Sequence, residues 1–139
     1  MRKQNMTEQV LPLPKARLRI GVTGHRIGAK FSQSQAEAVR ATIARLLSDI
    51  TRLAREAVEA NRWAFAGGEA VVSTISALAE GSDRILAEAG LDQGHPLNAI
   101  LPFGRADYRR DFASEESRQA FDSLLARAGA VFELNGTRD

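Results

Sequence analysis

Val71-Val-Ser-Thr-Ile-Ser-Ala-Leu-Ala-Glu-Gly-Ser-Asp-Arg84 begins as an apolar, β-branched run. It breaks at Gly81 and restarts as Ser82-Asp83-Arg84-Ile85-Leu86-Ala87-Glu88-Ala89. That is the pattern of a buried strand handing over to a helix. The glycine stands where backbone must approach something closely, and a Ser/Asp pair opens the helix. A helix start leaves N–H groups without partners and carries partial positive charge, which suits an anion such as phosphate. The same succession occurs earlier, at Leu18-Arg-Ile-Gly-Val-Thr-Gly-His-Arg26. Two junctions of this kind are what a doubly wound α/β domain uses to hold a nucleotide.

Working outward, residues 1–16 are polar with Pro12 and Pro14, and read as a disordered or loosely packed leader. A first strand is expected over 17–23 and a loop over 24–31. A capping box at Ser34-Gln-Ala-Glu37 then opens a long helix ending near Asn61. Its apolar residues Val39, Ile43, Leu46, Leu47, Ile50, Leu53, Ala54, Ala57 and Val58 recur at threes and fours, which predicts one inward face. In the connector that follows, Trp63 and Phe65 are expected to fold back onto the core. The second strand is read over 71–78, a helix over 82–91 and a third strand over 97–101. An arginine-rich loop covers 102–112, Ser114 caps a third helix, and a fourth strand spans 130–134. The order β-α-β-α-β-α-β predicts a Rossmann-like three-layer α/β/α domain over 17–139, with a parallel sheet of about four strands and helices on both faces. Ligands of such sheets sit beyond the carboxyl ends of the strands, near the point where strand order reverses.

Composition narrows the classes. The chain has 139 residues, enough for one core. No apolar run approaches the roughly 20 residues that cross a bilayer, and no signal peptide is read, so no membrane partner is expected. The absence of cysteine rules out disulfides and thiolate metal sites and fits a cytoplasmic protein. With only two histidines and no clustered carboxylates, a transition-metal site is not expected, and no cofactor is indicated. A net charge of +2 is too small to argue for nucleic acid by itself.

Three loops carry candidate chemistry, all at carboxyl ends of expected strands. In Gly21-Val-Thr-Gly-His-Arg26, Gly24 permits a tight turn or a close ligand approach. Thr23, His25 and Arg26 stand at the rim, able to meet a phosphate or a base. This is neither a G-x-G-x-x-G fingerprint nor a Walker loop, and an ordinary strand-end turn explains it equally well. In Glu80-Gly-Ser-Asp-Arg84, Gly81 and Ser82 offer amides and a hydroxyl. Asp83 caps the helix or binds ribose, and Arg84 pairs with Asp83, Glu80 or a ligand phosphate; a plain helix cap is the bland alternative. In Leu101-Pro-Phe-Gly-Arg-Ala-Asp-Tyr-Arg-Arg-Asp-Phe112, Pro102, Phe103, Tyr108 and Arg109 mix aromatics with arginines, as nucleotide recognition does. A lid with its aromatics packed on the sheet would have the same composition. No serine lies in a G-x-S-x-G elbow, and His95 leads into the third strand at its amino end.

Taken in order, Gly21-Val-Thr-Gly-His-Arg26, Ser76-Ala-Leu-Ala-Glu-Gly-Ser-Asp-Arg84 and Leu101-Pro-Phe with Tyr108-Arg-Arg-Asp-Phe112 resemble the SLOG superfamily of Rossmann-like domains. That superfamily includes the DNA-processing protein A domain and the Lonely Guy (lysine-decarboxylase-like) phosphoribohydrolases. The resemblance covers roughly residues 17–135 and is specific as a set. It implies a nucleotide or nucleotide-derivative site at the carboxyl edge of the sheet. Gly24, His25 and Arg26 would form the first loop, and Gly81, Ser82, Asp83 and Arg84 the phosphate-facing turn. Tyr108 matches a tyrosine on the surface that contacts single-stranded DNA in the DNA-processing relatives.

The chain departs from the family in two ways. No glycine-rich G-G-T-type loop follows the fourth strand, and the signature P-G-G-x-G-T-x-x-E is absent. The first departure suggests a domain truncated at its C-terminus, leaving the fourth strand as an exposed edge, so a homo-oligomer is expected. The second leaves no complete catalytic set. Binding or sensing of a nucleotide is therefore expected over catalysis. Two alternatives stay open. One is a nucleoside monophosphate phosphoribohydrolase using Glu80 or Asp83 as acid/base. The other is a single-stranded nucleic-acid binder using Arg105, Arg109, Arg110 and Tyr108, less favoured for want of charge.

Overall fold

The computed structural model describes residues 11–26, 28, 31–67 and 70–137. Four short apolar runs form strands: β1 (Arg17–Ile20), β2 (Val71–Ser76), β3 (Leu97–Leu101) and β4 (Ala130–Glu133). Helices α1 (Gln33–Ala60) and α2 (Ser82–Asp92) separate the first three strands. A five-residue helix α3 (Arg105–Arg109) and then α4 (Glu115–Arg127) precede the last. Every strand pairing is parallel, and the strands lie side by side in the order β1-β2-β3-β4. The protein is thus of the α/β class, with a Rossmann-like alternation of helices around an all-parallel sheet.

The register sorts the side chains. Ile20 lies beside Thr74, Thr74 beside Leu97, and Ala99 beside Val131, so these residues share one face. The helices pack on that face. Leu47 of α1 meets Leu86 and Ala89 of α2, with Ile20 against them. Ala87 of α2, Leu97, Ala99 and Leu101 of β3, and Phe121 and Leu124 of α4 form the larger core. Right-handed crossovers that always step the same way leave their helices on the same side of a sheet. Of the three layers expected, the described residues therefore supply the sheet and one helical layer. The other face carries Arg17, Arg19, Val71, Ile75, Ile100 and Phe132. No reversal of strand order occurs among the four strands.

Local details differ from the sequence reading, each for a physical reason. The helix α1 starts two residues early: Ser32 is its N-cap, with a capping box closed by Gln35 in place of Ser34 and Glu37. Strand β2 ends at Ser76 because Leu78 turns left-handed (φ 59°), which no strand continues through. The loop expected over 102–112 contains α3, capped at Gly104. Trp63 lies 79% exposed and not on the core, whereas Phe65 is half-buried. Leu46 and Leu53 are also exposed, because Ala36, Leu47 and Val58 already fill the stripe of α1 that faces inward. Residues 1–10 of the expected leader lie outside the described residues. The remainder is tied down, since Pro14 and Ala16 accept hydrogen bonds from the amides of Ala66 and Val71.

Candidate functional site

The carboxyl edge of the sheet is built from the turn between β2 and α2. Two of its residues have backbone conformations that side chains resist: Leu78, and Gly81 at φ 96° and ψ −131°. A left-handed non-glycine residue costs on the order of 1–2 kcal/mol, so something must hold Leu78 there. Three neighbours do. Ser76 Oγ accepts from the Leu78 amide (3.0 Å) and donates to the Asp83 carbonyl (2.9 Å). The Leu78 carbonyl accepts from Arg84 Nε at 2.9 Å. The amides of Ala77 and Ala79 donate to the Asp83 carboxylate.

Arg84 is the linchpin of this corner. It is 9% exposed, and its Nη1 donates to Ser117 Oγ at 2.9 Å while the guanidinium carbon stands 4.4 Å from the centre of the Phe112 ring. Ser117 in turn donates to Glu80. Arg84 Nη2 is buried without a hydrogen-bond partner among the described residues. Burial pulls the Arg84 guanidinium below the ordinary arginine value, opposed by the charge of Glu80. Glu80, Gly81 and Arg84 line a cleft of about 380 Å³ together with Arg40, Glu88 and Ser117. Arg84 is therefore committed to the protein and not presented at the rim. Ser117 and the strained Leu78 escaped the sequence reading, and neither residue type signals such a role by spacing.

The first loop meets this corner directly. A Cβ placed on Gly24 would lie 2.6 Å from Ser82 Oγ and 3.0 Å from its Cβ, so glycine lets the loop backbone come up against the Ser82 side chain. Gly81 caps α2 with no side-chain hydrogen bond, so no capping side chain takes up the amides of its first turn. Thr23, His25 and Arg26 are exposed beside that contact. Arg26 makes no ion pair or hydrogen bond among the described residues. It lies within electrostatic range of Asp83, Arg84 and Tyr108. Burial pushes the Asp83 carboxyl above the ordinary aspartate value, against the pull of the Ala77 and Ala79 amides and of Arg26.

The third loop contributes packing. Tyr108 is buried, edge-on to Phe103 (5.4 Å between ring centres), Phe112 (5.3 Å) and Phe121 (5.7 Å). Its ring faces are covered, so it offers no stacking platform, and burial pushes its hydroxyl upward. Arg109 pairs with Asp122 (2.9 Å) and Glu115 (3.1 Å) of α4. Arg105 pairs with Glu133 and Arg110 with Asp107. Pro102 and Phe103 are half-buried against this cluster. Of the residues singled out from sequence, Gly24 meets Ser82 beside Thr23, His25, Arg26, Gly81 and Asp83, whereas Glu80, Arg84, Phe103 and Tyr108 are engaged in hydrogen bonds or packing, Pro102 is half-buried and Arg109 is paired on α4. Among the described residues, no group of acidic, histidine or cysteine side chains is arranged to hold a metal.

Fold and corner together define a parallel α/β protein whose first two βα turns touch at the carboxyl edge. No protein-family model matches the chain, and no curated protein matches it. No helix among the described residues is long and apolar enough to cross a membrane.

Proposed function

We propose that the protein is a SLOG-type module that binds a nucleotide or nucleotide derivative. The ligand phosphate would sit on the rim formed by Gly24–Arg26 and the start of α2. The observation that carries the reading is the contact of Gly24 with Ser82. It sets the start of an eleven-residue helix, which no side chain caps, beside an exposed arginine that makes no ion pair or hydrogen bond among the described residues. Amides and a guanidinium at one spot bind an oxyanion better than either alone. The Asp83 carboxylate is turned toward the backbone of 77–79, which keeps part of its charge off the rim.

The other readings have less support. Asp83 and Glu80 are engaged by backbone amides and by Ser117, so neither is free to relay a proton. Arg105, Arg109 and Arg110 are each matched to a carboxylate, which removes the excess charge that a nucleic-acid strand needs.

Titration calorimetry of nucleoside 5′-mono- and diphosphates is the test. Binding should weaken about tenfold or more in Arg26→Ala, as the loss of one charge-assisted hydrogen bond implies. No heat with any of these nucleotides, or an unchanged affinity in the variant, ends the proposal.

A further inference from the structure

Helix α1 is longer than its job requires. At 28 residues it runs about 42 Å, roughly twice the length of the thirteen-residue α4 on the same sheet. One stripe of it, including Ala36, Leu47 and Val58, is spent on the protein's own core. A second stripe lies alongside: Val39, Ile43, Leu46, Ile50, Leu53, Ala57 and Ala60, with successive spacings of four and three throughout. That is a heptad seam over about three repeats, with isoleucine at two of one set of positions and leucine at two of the other, the choice that favours paired helices. Its centre is bare, since Leu46 is 50% and Leu53 53% exposed. Val39, Ile43 and Ile50 are half-buried, so the part of the seam turned outward is Leu46, Leu53, Ala57 and Ala60.

We propose that a second copy of this chain docks along this stripe, so that α1 packs against α1 of the other copy. Two observations select a second copy over another occupant. The heptad spacing is self-complementary, because knobs on one helix fit the holes of an identical one. The charges beside the leucines are also mixed: Asp49, Arg52 and Glu56 stand within one turn of Leu53, with Arg45 next to Leu46. A second copy therefore brings opposite partners for both signs. The other uncovered apolar surface, the helix-free face of the sheet, carries only Arg17 and Arg19 as charges on its strands, so copies meeting there would bring like charges together. This proposal is independent of the nucleotide reading.

Sedimentation equilibrium over a range of concentrations tests it on the full chain. The wild type should sediment at twice the monomer mass. Leu46→Glu with Leu53→Glu should weaken association about a hundredfold or more, at roughly tenfold per lost leucine burial. Both positions are exposed in the single chain, so the far-UV circular dichroism of the double variant should match the wild type, and its unfolding midpoint should match that of the wild type diluted to the monomer. A wild type that stays monomeric at every concentration overturns the proposal. So does a dimer that survives the double substitution, or one that Phe132→Glu on the sheet face dissociates instead.

Discussion

Gly90 shows how tightly one residue constrains the layer. It lies inside α2, where replacing glycine by alanine ordinarily gains up to about 1 kcal/mol of helix propensity. Here the added Cβ would stand 2.6 Å from Thr74 Cγ2 on β2, closer than carbon atoms approach. Overpacking outweighs propensity, and Gly90→Ala should destabilise by about 1–3 kcal/mol in urea unfolding. Thr74→Ser removes the offending methyl, so the double variant should recover much of the loss. Arg84 is the second residue-scale case. Arg84→Met strips the Leu78 carbonyl and the Ser117–Glu80 pair of their donor in a buried setting. Its cost is expected at about 3–5 kcal/mol, read from the same unfolding curves. A cost under 1 kcal/mol would mean that the turn holds itself without the guanidinium.

Elements were legible wherever apolar runs were unambiguous. The strand 97–101, the cap at Ser114 and the four-strand succession all follow from local pattern, whereas α2 is capped by Gly81 and not by Asp83, which lies inside its first turn. Legibility failed where tertiary contacts decide. Nothing in Ala77-Leu78-Ala79 announces a left-handed leucine, because its cause is an arginine six residues on. The helix α3 hides in a polar segment whose stability comes from burying Tyr108. The meeting of Gly24 with the start of α2 was readable, but not the fate of Arg84 or Tyr108, since a sequence does not say which arginines find carboxylates or carbonyls first. At the amino end of the sheet, α1 is fastened to the turn before β3 through His95, whose Nε2 lies 3.2 Å from Thr51 Oγ1. Burial, aided by Arg55, holds the imidazole below its ordinary value. A depressed folded value means the stabilisation is complete above the unfolded pKa of about 6.5 and is lost as pH falls through the lower folded value. Unfolding midpoints measured at neutral pH and in mild acid should therefore fall more for the wild type than for His95→Gln.

For the molecule as a whole, the open face of the sheet is the feature of most consequence for handling. Parallel sheets are normally covered on both faces. Here Ile75 and Ile100 are half-buried and Phe132 is 57% exposed, with Arg17 and Arg19 at one edge. The folded protein should bind a hydrophobic dye such as anilinonaphthalene sulfonate, and Phe132→Lys should reduce that fluorescence. The variant should keep the wild-type unfolding midpoint within about 0.5 kcal/mol, as exposed substitutions do. A larger drop in stability would show that the ring is covered in solution.

The side-by-side order of β1 to β4 also bears on how the chain assembles as it is synthesised. Each strand pairs with the one just before it, so no early segment waits for a distant late one. A nascent chain leaving the ribosome could add one strand-and-helix unit at a time onto a template already in place. When β4 emerges it merely zips onto β3, and a stall upstream of it would leave a shorter sheet of the same design.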